Sequence, residues 1–203
     1  MSGNRKSHKE RVLELARNRG ILRPLDLDDI GVPRRYLSAL RDEGLLEQPA
    51  RGLYIPVDAD VSENISLAQV SKLIPQGVVC LLSALAFHGL TTQLPFRVWI
   101  AVSPNQRKPA AGYLPVRVVH LSGPALEEGV ERHTIDGVSV PIFGPAKTVA
   151  DCFKHRNKVG KDVALEALND CWTQGMCNMD DLVHFAEVDR VKNVMMPYFE
   201  TLR

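Results

Sequence analysis

Over residues 33–43 the apolar positions Tyr36, Leu37, Ala39 and Leu40 fall on one side of a helix at about 100° per residue, while Arg34, Ser38 and Arg41 share a stripe opposite, with Arg35 beside it. Pro33 suits the first helical turn and Gly44 supplies the left-handed residue that ends one, so the pattern predicts a helix from about Pro33 to Glu43. Leu45-Leu46 and Gly52-Leu53-Tyr54-Ile55 then read as two short strands around a turn containing Pro49, Ala50 and Arg51. A solvated amphipathic helix and an ordinary hairpin would carry the same residues. The upstream context separates the two readings. Ser7-His8-Lys9-Glu10 has capping-box spacing and opens a helical stretch closed by Gly20, and a short helix over about Pro24 to Ile30 precedes Gly31. Three helices and a hairpin, in that order, make a winged helix-turn-helix over residues 1–57. In that reading Arg34, Arg35, Ser38 and Arg41 face the DNA major groove and Arg51 reaches a phosphate or the minor groove from the wing tip.

Pro56 to Glu63 is short, acidic and polar, and is the expected linker to a second domain over 64–203. There the pattern changes. Ser66–Ile74 is helical and stops before Pro75; Val78–Leu82 is either a buried strand or the first turn of the helix ending at Gly89. Val98–Val102, Val116–Leu121, Val130–Ile135 and Val138–Phe143 are strand-like, the last two joined by Asp136-Gly137, a strong hairpin signal. Helices follow from Pro145, Lys161, Met179 and Val191. The fold expected is α+β: a winged helix-turn-helix, then a domain with a small, mostly antiparallel sheet and several helices.

Net charge is +1, so the chain as a whole is no polycation. Residues 1–56 carry eleven Lys and Arg against eight Asp and Glu, a mild asymmetry consistent with a phosphate-facing N-terminal domain. The four cysteines form no C-x-x-C pair and read as reduced thiols of a cytoplasmic protein; neither an export signal nor a membrane span is visible.

Catalytic patterns are missing. No Asp-x-Lys or Glu-x-Lys, as a restriction-type nuclease needs, occurs in the sequence, and neither does a Gly-Ser turn before Asp26-Leu27-Asp28, a Walker A loop, G-x-S-x-G or H-E-x-x-H. The sequence therefore predicts no catalytic residue, no metal site and no cofactor. Lys147, Lys154, Arg156, Lys158 and Lys161, with His155, form a second basic cluster. Its bland reading is a solvated face near a helix C-terminus, and its sharper one a contact for nucleic acid or a partner.

The run from Gly77 to Pro95 (GVVCLLSALAFHGLTTQLP), with Val98-Trp99-Ile100-Ala101 and Ala146-Lys147-Thr148-Val149-Ala150-Asp151-Cys152-Phe153, resembles the AbiEi family, as do Val32-Pro33-Arg34-Arg35-Tyr36-Leu37 and Arg51-Gly52-Leu53-Tyr54. These are antitoxins and transcriptional repressors of bacterial abortive-infection, type IV toxin-antitoxin systems. The resemblance implies a non-enzymatic repressor that binds double-stranded DNA at inverted repeats and counteracts a nucleotidyltransferase toxin, commonly without a stable toxin complex. It also makes Lys147, Lys154, Arg156 and Lys158 the candidate antitoxin surface. The alternative is a protein-interaction module whose winged helix no longer binds DNA.

Overall fold

Capping decides where the first helix begins. In the computed structural model, which describes residues 6–106 and 114–202, Ser7 Oγ accepts the Glu10 N–H and the Glu10 carboxylate accepts the Ser7 N–H at 2.7 Å, closing the capping box of α1 (His8–Arg19). A 3-10 turn over Pro24–Ile30 ends at left-handed Gly31, and α2 follows as Arg35–Asp42. Pro33 lies in the turn before α2, two residues short of its expected place at the helix start. The other end of α2 is as read: Gly44 has φ +71°, its N–H reaches Arg41 O at 2.9 Å, and Leu45 N–H reaches Leu40 O at 2.9 Å.

The wing differs from expectation in one detail. β1 is Leu46–Ala50 and β2 is Leu53–Pro56, so Pro49 and Ala50 belong to a strand and the turn is Arg51-Gly52. Gly52, at φ +80°, takes the conformation the turn requires. Pro49 has no N–H to give a ladder, and it sits where the register slips between Glu47↔Ile55 and Ala50↔Leu53. Ile21-Leu22 adds a bridge that periodicity does not reveal: Leu22 and Tyr54 exchange both backbone hydrogen bonds at 2.9 Å.

The chain divides into two compact units. The described part of the first holds residues 6–75, with Leu114 and Thr134–Val140, and includes α3 (Ile65–Leu73); the second holds 76–106, 115–133 and 141–202. The core of the first is Val12, Ala16, Leu22, Leu27, Val32, Leu37, Leu40, Leu46 and Tyr54. Burying one Leu-sized side chain contributes roughly 1.5–3 kcal/mol, and here Leu37 and Leu40 fix which face of α2 turns inward.

The remaining strands are β3 (Val78–Val79), β4 (Val98–Val102), β5 (Val116–His120), β6 (Val130–Ile135) and β7 (Val138–Phe143), in the order β5-β4-β3-β7-β6. This sheet is mixed, not mostly antiparallel: β3 pairs antiparallel with β4, but β3 with β7 and β4 with β5 are parallel. Strand direction depends on the connection. The thirteen residues between β4 and β5 are long enough for a crossover back to the same end of the sheet, something a strand's own sequence does not encode. Both alternatives for Val78–Leu82 are realised in succession, since β3 runs directly into α4 (Leu81–Phe87). The helices are α5 (Pro124–Glu127), α6 (Pro145–Lys154), α7 (Arg156–Val159), α8 (Lys161–Thr173), α9 (Met179–Val188) and α10 (Lys192–Phe199), of which α5 and α7 are not foreseen.

Candidate nucleic-acid interface

The inward face of α2 is Leu37 and Leu40, with Tyr36 and Ala39 half-buried, which leaves Arg34, Arg35, Ser38 and Arg41 exposed together on the opposite side. Two contacts hold the helix against α1, and a third holds α1 against the turn that precedes α2. Tyr36 Oη lies 3.2 Å from His8 Nδ1, Lys9 pairs with Glu43, and the Arg11 guanidinium donates to Ile30 O. Arg51, at the wing turn, is also exposed.

Two of the arginines have acidic neighbours that the helical pattern does not reveal. Arg34 donates Nη2–H to Asp28 Oδ2 at 2.6 Å and Nε–H to Asp28 Oδ1 at 3.3 Å. Arg41 donates to Asp42 Oδ1 at 2.8 and 3.1 Å and, through Nη1, to Gln48 Oε1 at 2.8 Å, tying the helix to the wing. The hydrogen bond from Arg34 holds the Asp28 carboxyl below its usual range. Both pairs are solvent-exposed, so each contributes little net stability and can be exchanged for a phosphate or a guanine edge. Among the described residues no salt bridge engages Arg35, which instead stands 5.6 Å from the Tyr36 ring centroid, or Arg51.

In the second unit the basic cluster is not one surface, and Lys147 corrects the sequence reading. It is fully buried. Its Nζ lies 2.6 Å from Asp151 Oδ1, 3.2 Å from Asp189 Oδ2 and 4.6 Å from the Phe143 ring centroid. The cause is that α6 has no solvated face: every residue from Ala146 to Phe153 is buried, because α4, α8 and α9 all pack against it. Lys154, one-third exposed, reaches Asp189 Oδ1 at 3.3 Å, and Arg156 donates to Phe153 O at 2.8 Å. Lys158 alone of the four is exposed. Asp189, which closes the network, lies 42 residues from Lys147, and no local signal pairs them.

Burial pushes the Asp151 carboxyl up, to about 8, with Lys147 opposing the rise and Asp189 adding to it. The native state therefore keeps a proton that the unfolded chain releases near pH 4. This contribution to stability is complete below about pH 4 and is lost as pH rises toward 8. Urea unfolding at pH 5 and pH 8 is expected to show a decline on the order of 4 kcal/mol that Asp151→Asn, a mimic of the protonated acid, flattens. Parallel pH dependences in the two proteins would sink this account.

Among the described residues no group of three or more His, Cys, Asp or Glu side chains is arranged to hold a metal ion, and no helix is long and apolar enough to cross a membrane.

An N-terminal module of this order and exposure is what comparison with known families tests. Residues 10–57 match the AbiEi antitoxin family. The family is described as a transcriptional regulator, AbiEi antitoxin, and the matched segment runs from α1 through the wing, bearing out the resemblance there. A match over this segment supports a regulatory antitoxin role. Among solved structures, the RV2827C protein from Mycobacterium tuberculosis is similar at 19% sequence identity with a TM-score of 0.61, over 92% of this chain and 73% of that one. At that identity the likeness is one of fold. No curated protein sequence matches the chain.

Proposed function

We propose that this protein is a DNA-binding transcriptional repressor and antitoxin that autoregulates its operon at inverted repeats and counteracts a nucleotidyltransferase toxin, without a catalytic residue, metal or cofactor of its own. The observation that carries the DNA-binding part is the stripe of Arg34, Arg35, Ser38 and Arg41 left exposed on α2 while its other face is locked into the core, with Arg51 at the wing turn. Guanidinium groups suit both guanine edges and phosphates, and a helix of a winged helix-turn-helix is presented to the major groove. The DNA-contacting module falls within residues 1–57 and the antitoxin domain within 64–203, acting in the cytoplasm. Lys154, Arg156 and Lys158 remain the antitoxin contacts proposed from the basic cluster; Lys147 drops out of that surface because it is buried.

A mobility-shift titration of the full chain with the DNA upstream of its own gene, repeated at rising salt, tests the reading. A specific complex is expected, with log Kd rising linearly in log salt at a slope of roughly three to four for the proposed arginine contacts. Absence of binding at low salt would favour the protein-interaction alternative, in which Asp28 and Asp42 keep Arg34 and Arg41 neutralised.

A further inference from the structure

The first strand of the wing carries a residue that the arginine stripe leaves out. Gln48 lies in β1 where the ladder with β2 slips, between Glu47↔Ile55 and Ala50↔Leu53. A slip of this kind leaves a residue unpaired and re-aims side chains, and Pro49, with no N–H to give, suits it. Gln48 is half-buried there, whereas Glu47 beside it is exposed. Its Oε1 accepts Arg41 Nη1–H at 2.8 Å, across the chain reversal at Gly44. Arg41 stands in the last turn of α2, so this bond ties the helix to the wing.

A guanidinium has five N–H donors. Asp42 Oδ1 takes one from Nε and one from Nη2, Gln48 takes one from Nη1, and one remains on each terminal nitrogen. The two acceptors differ in kind. Asp42 is an exposed carboxylate that competes with DNA for the arginine and repels the phosphate backbone. Gln48 is neutral, so its bond to Nη1 survives the approach of a polyanion.

We propose that Gln48 is a positioning residue for Arg41: in the DNA complex Arg41 exchanges Asp42 for the O6 and N7 acceptors of a guanine and keeps Gln48, which fixes the plane of the guanidinium. The inference rests on the DNA-binding role proposed above and adds to it the base that Arg41 reads and the residue that enforces the reading. With Nη1 held on β1, the Nε–H and Nη2–H edge released by Asp42 meets the base in one orientation, and an arginine ordered before binding loses less freedom on binding. A bidentate pair to guanine needs that alignment, whereas a phosphate contact positions the protein without reading sequence. Gln48 therefore acts on the choice of base and not on attraction to the backbone.

The test titrates full-length variants against two duplexes of one length, the DNA upstream of the gene and a shuffled sequence. Gln48→Met keeps the volume of the side chain and removes the acceptor; it is expected to weaken binding to the upstream DNA roughly fivefold, to leave binding to the shuffled duplex within about twofold, and to keep the melting temperature. Arg41→Ala is expected to cost roughly tenfold on the upstream DNA, and Gln48→Met added to it nothing further. Replacing the guanines of the upstream DNA one at a time by 7-deazaguanine, which lacks N7, should find one position that matters to the unmodified protein and no longer to Arg41→Ala or Gln48→Met. Gln48→Glu restores the acceptor and adds a charge, so it weakens binding to both duplexes alike and keeps the discrimination between them. Should Gln48→Met melt earlier than the unmodified protein, Gln48→Glu decides: lost discrimination in that variant overturns the proposal. Equal losses on the two duplexes, additive losses in the double variant, or full affinity of Gln48→Met for the upstream DNA overturn it too and leave the DNA-binding reading standing. An unmodified protein that forms no specific complex overturns both.

Discussion

Replacing Arg35 and Arg41 together by alanine is expected to weaken binding to the protein's own upstream DNA by about 3 kcal/mol, roughly 100-fold in Kd, while leaving the unfolding temperature unchanged. Both side chains are exposed on α2, away from Leu37 and Leu40, so truncation creates no cavity. Arg35 has no salt bridge among the described residues to give up on binding, whereas Arg41 must part from Asp42. Asp42→Asn is therefore expected to strengthen binding modestly, the opposite sign to the arginine changes. Arg51→Ala should act differently from the helix variants, lowering affinity on all sequences and the salt slope by about one, as a phosphate contact does. Operator affinity unaltered in the double variant would remove α2 from the reading role.

Asp189→Ala is expected to destabilise the protein by about 3 kcal/mol, measured as a shift in urea midpoint at constant slope. The carboxylate is buried and faces two cations, the fully buried Lys147 and the partly exposed Lys154. Without it Lys147 keeps only Asp151, whose carboxyl burial and Asp189 itself hold above its ordinary range; removing Asp189 lets Asp151 ionise, which bounds the loss at the lower end for a broken buried pair. Lys147→Met together with Asp189→Leu should recover much of the stability, because an apolar replacement of similar volume leaves no charge to desolvate. A change under about 1 kcal/mol for Asp189→Ala would mean that water reaches Lys147 in solution.

Much of the N-terminal module is legible because its signals are local. The Ser7/Glu10 box, the left-handed residues at Gly31 and Gly44, and the alternation that buries Leu37 and Leu40 act within a turn or two of the residues that carry them. The exposed arginine stripe is the same 3.6-residue period seen from its other side. The Asp136-Gly137 turn is equally local, with φ of +46° and +74° joining β6 to β7.

What only the tertiary structure decided is what depends on residues far apart in the chain. Parallel pairing of β4 with β5 and of β3 with β7 is set by the paths of their connections, so a hairpin signal at one end of the sheet misleads about the rest. Lys147 reads as a surface charge because helical periodicity reports two faces, whereas α6 is covered by three helices and its lysine is neutralised by an aspartate 42 residues away. The pairings of Arg34 with Asp28 across the turn at Gly31, and of Arg41 with Gln48 on the wing, are likewise products of chain reversal. The sequence by itself determined the order of the elements and the faces of the amphipathic helices, since propensity, capping and periodicity are short-range; which charges are buried, and with which partners, came from the packing of elements, where desolvation is settled by neighbours that no local pattern names.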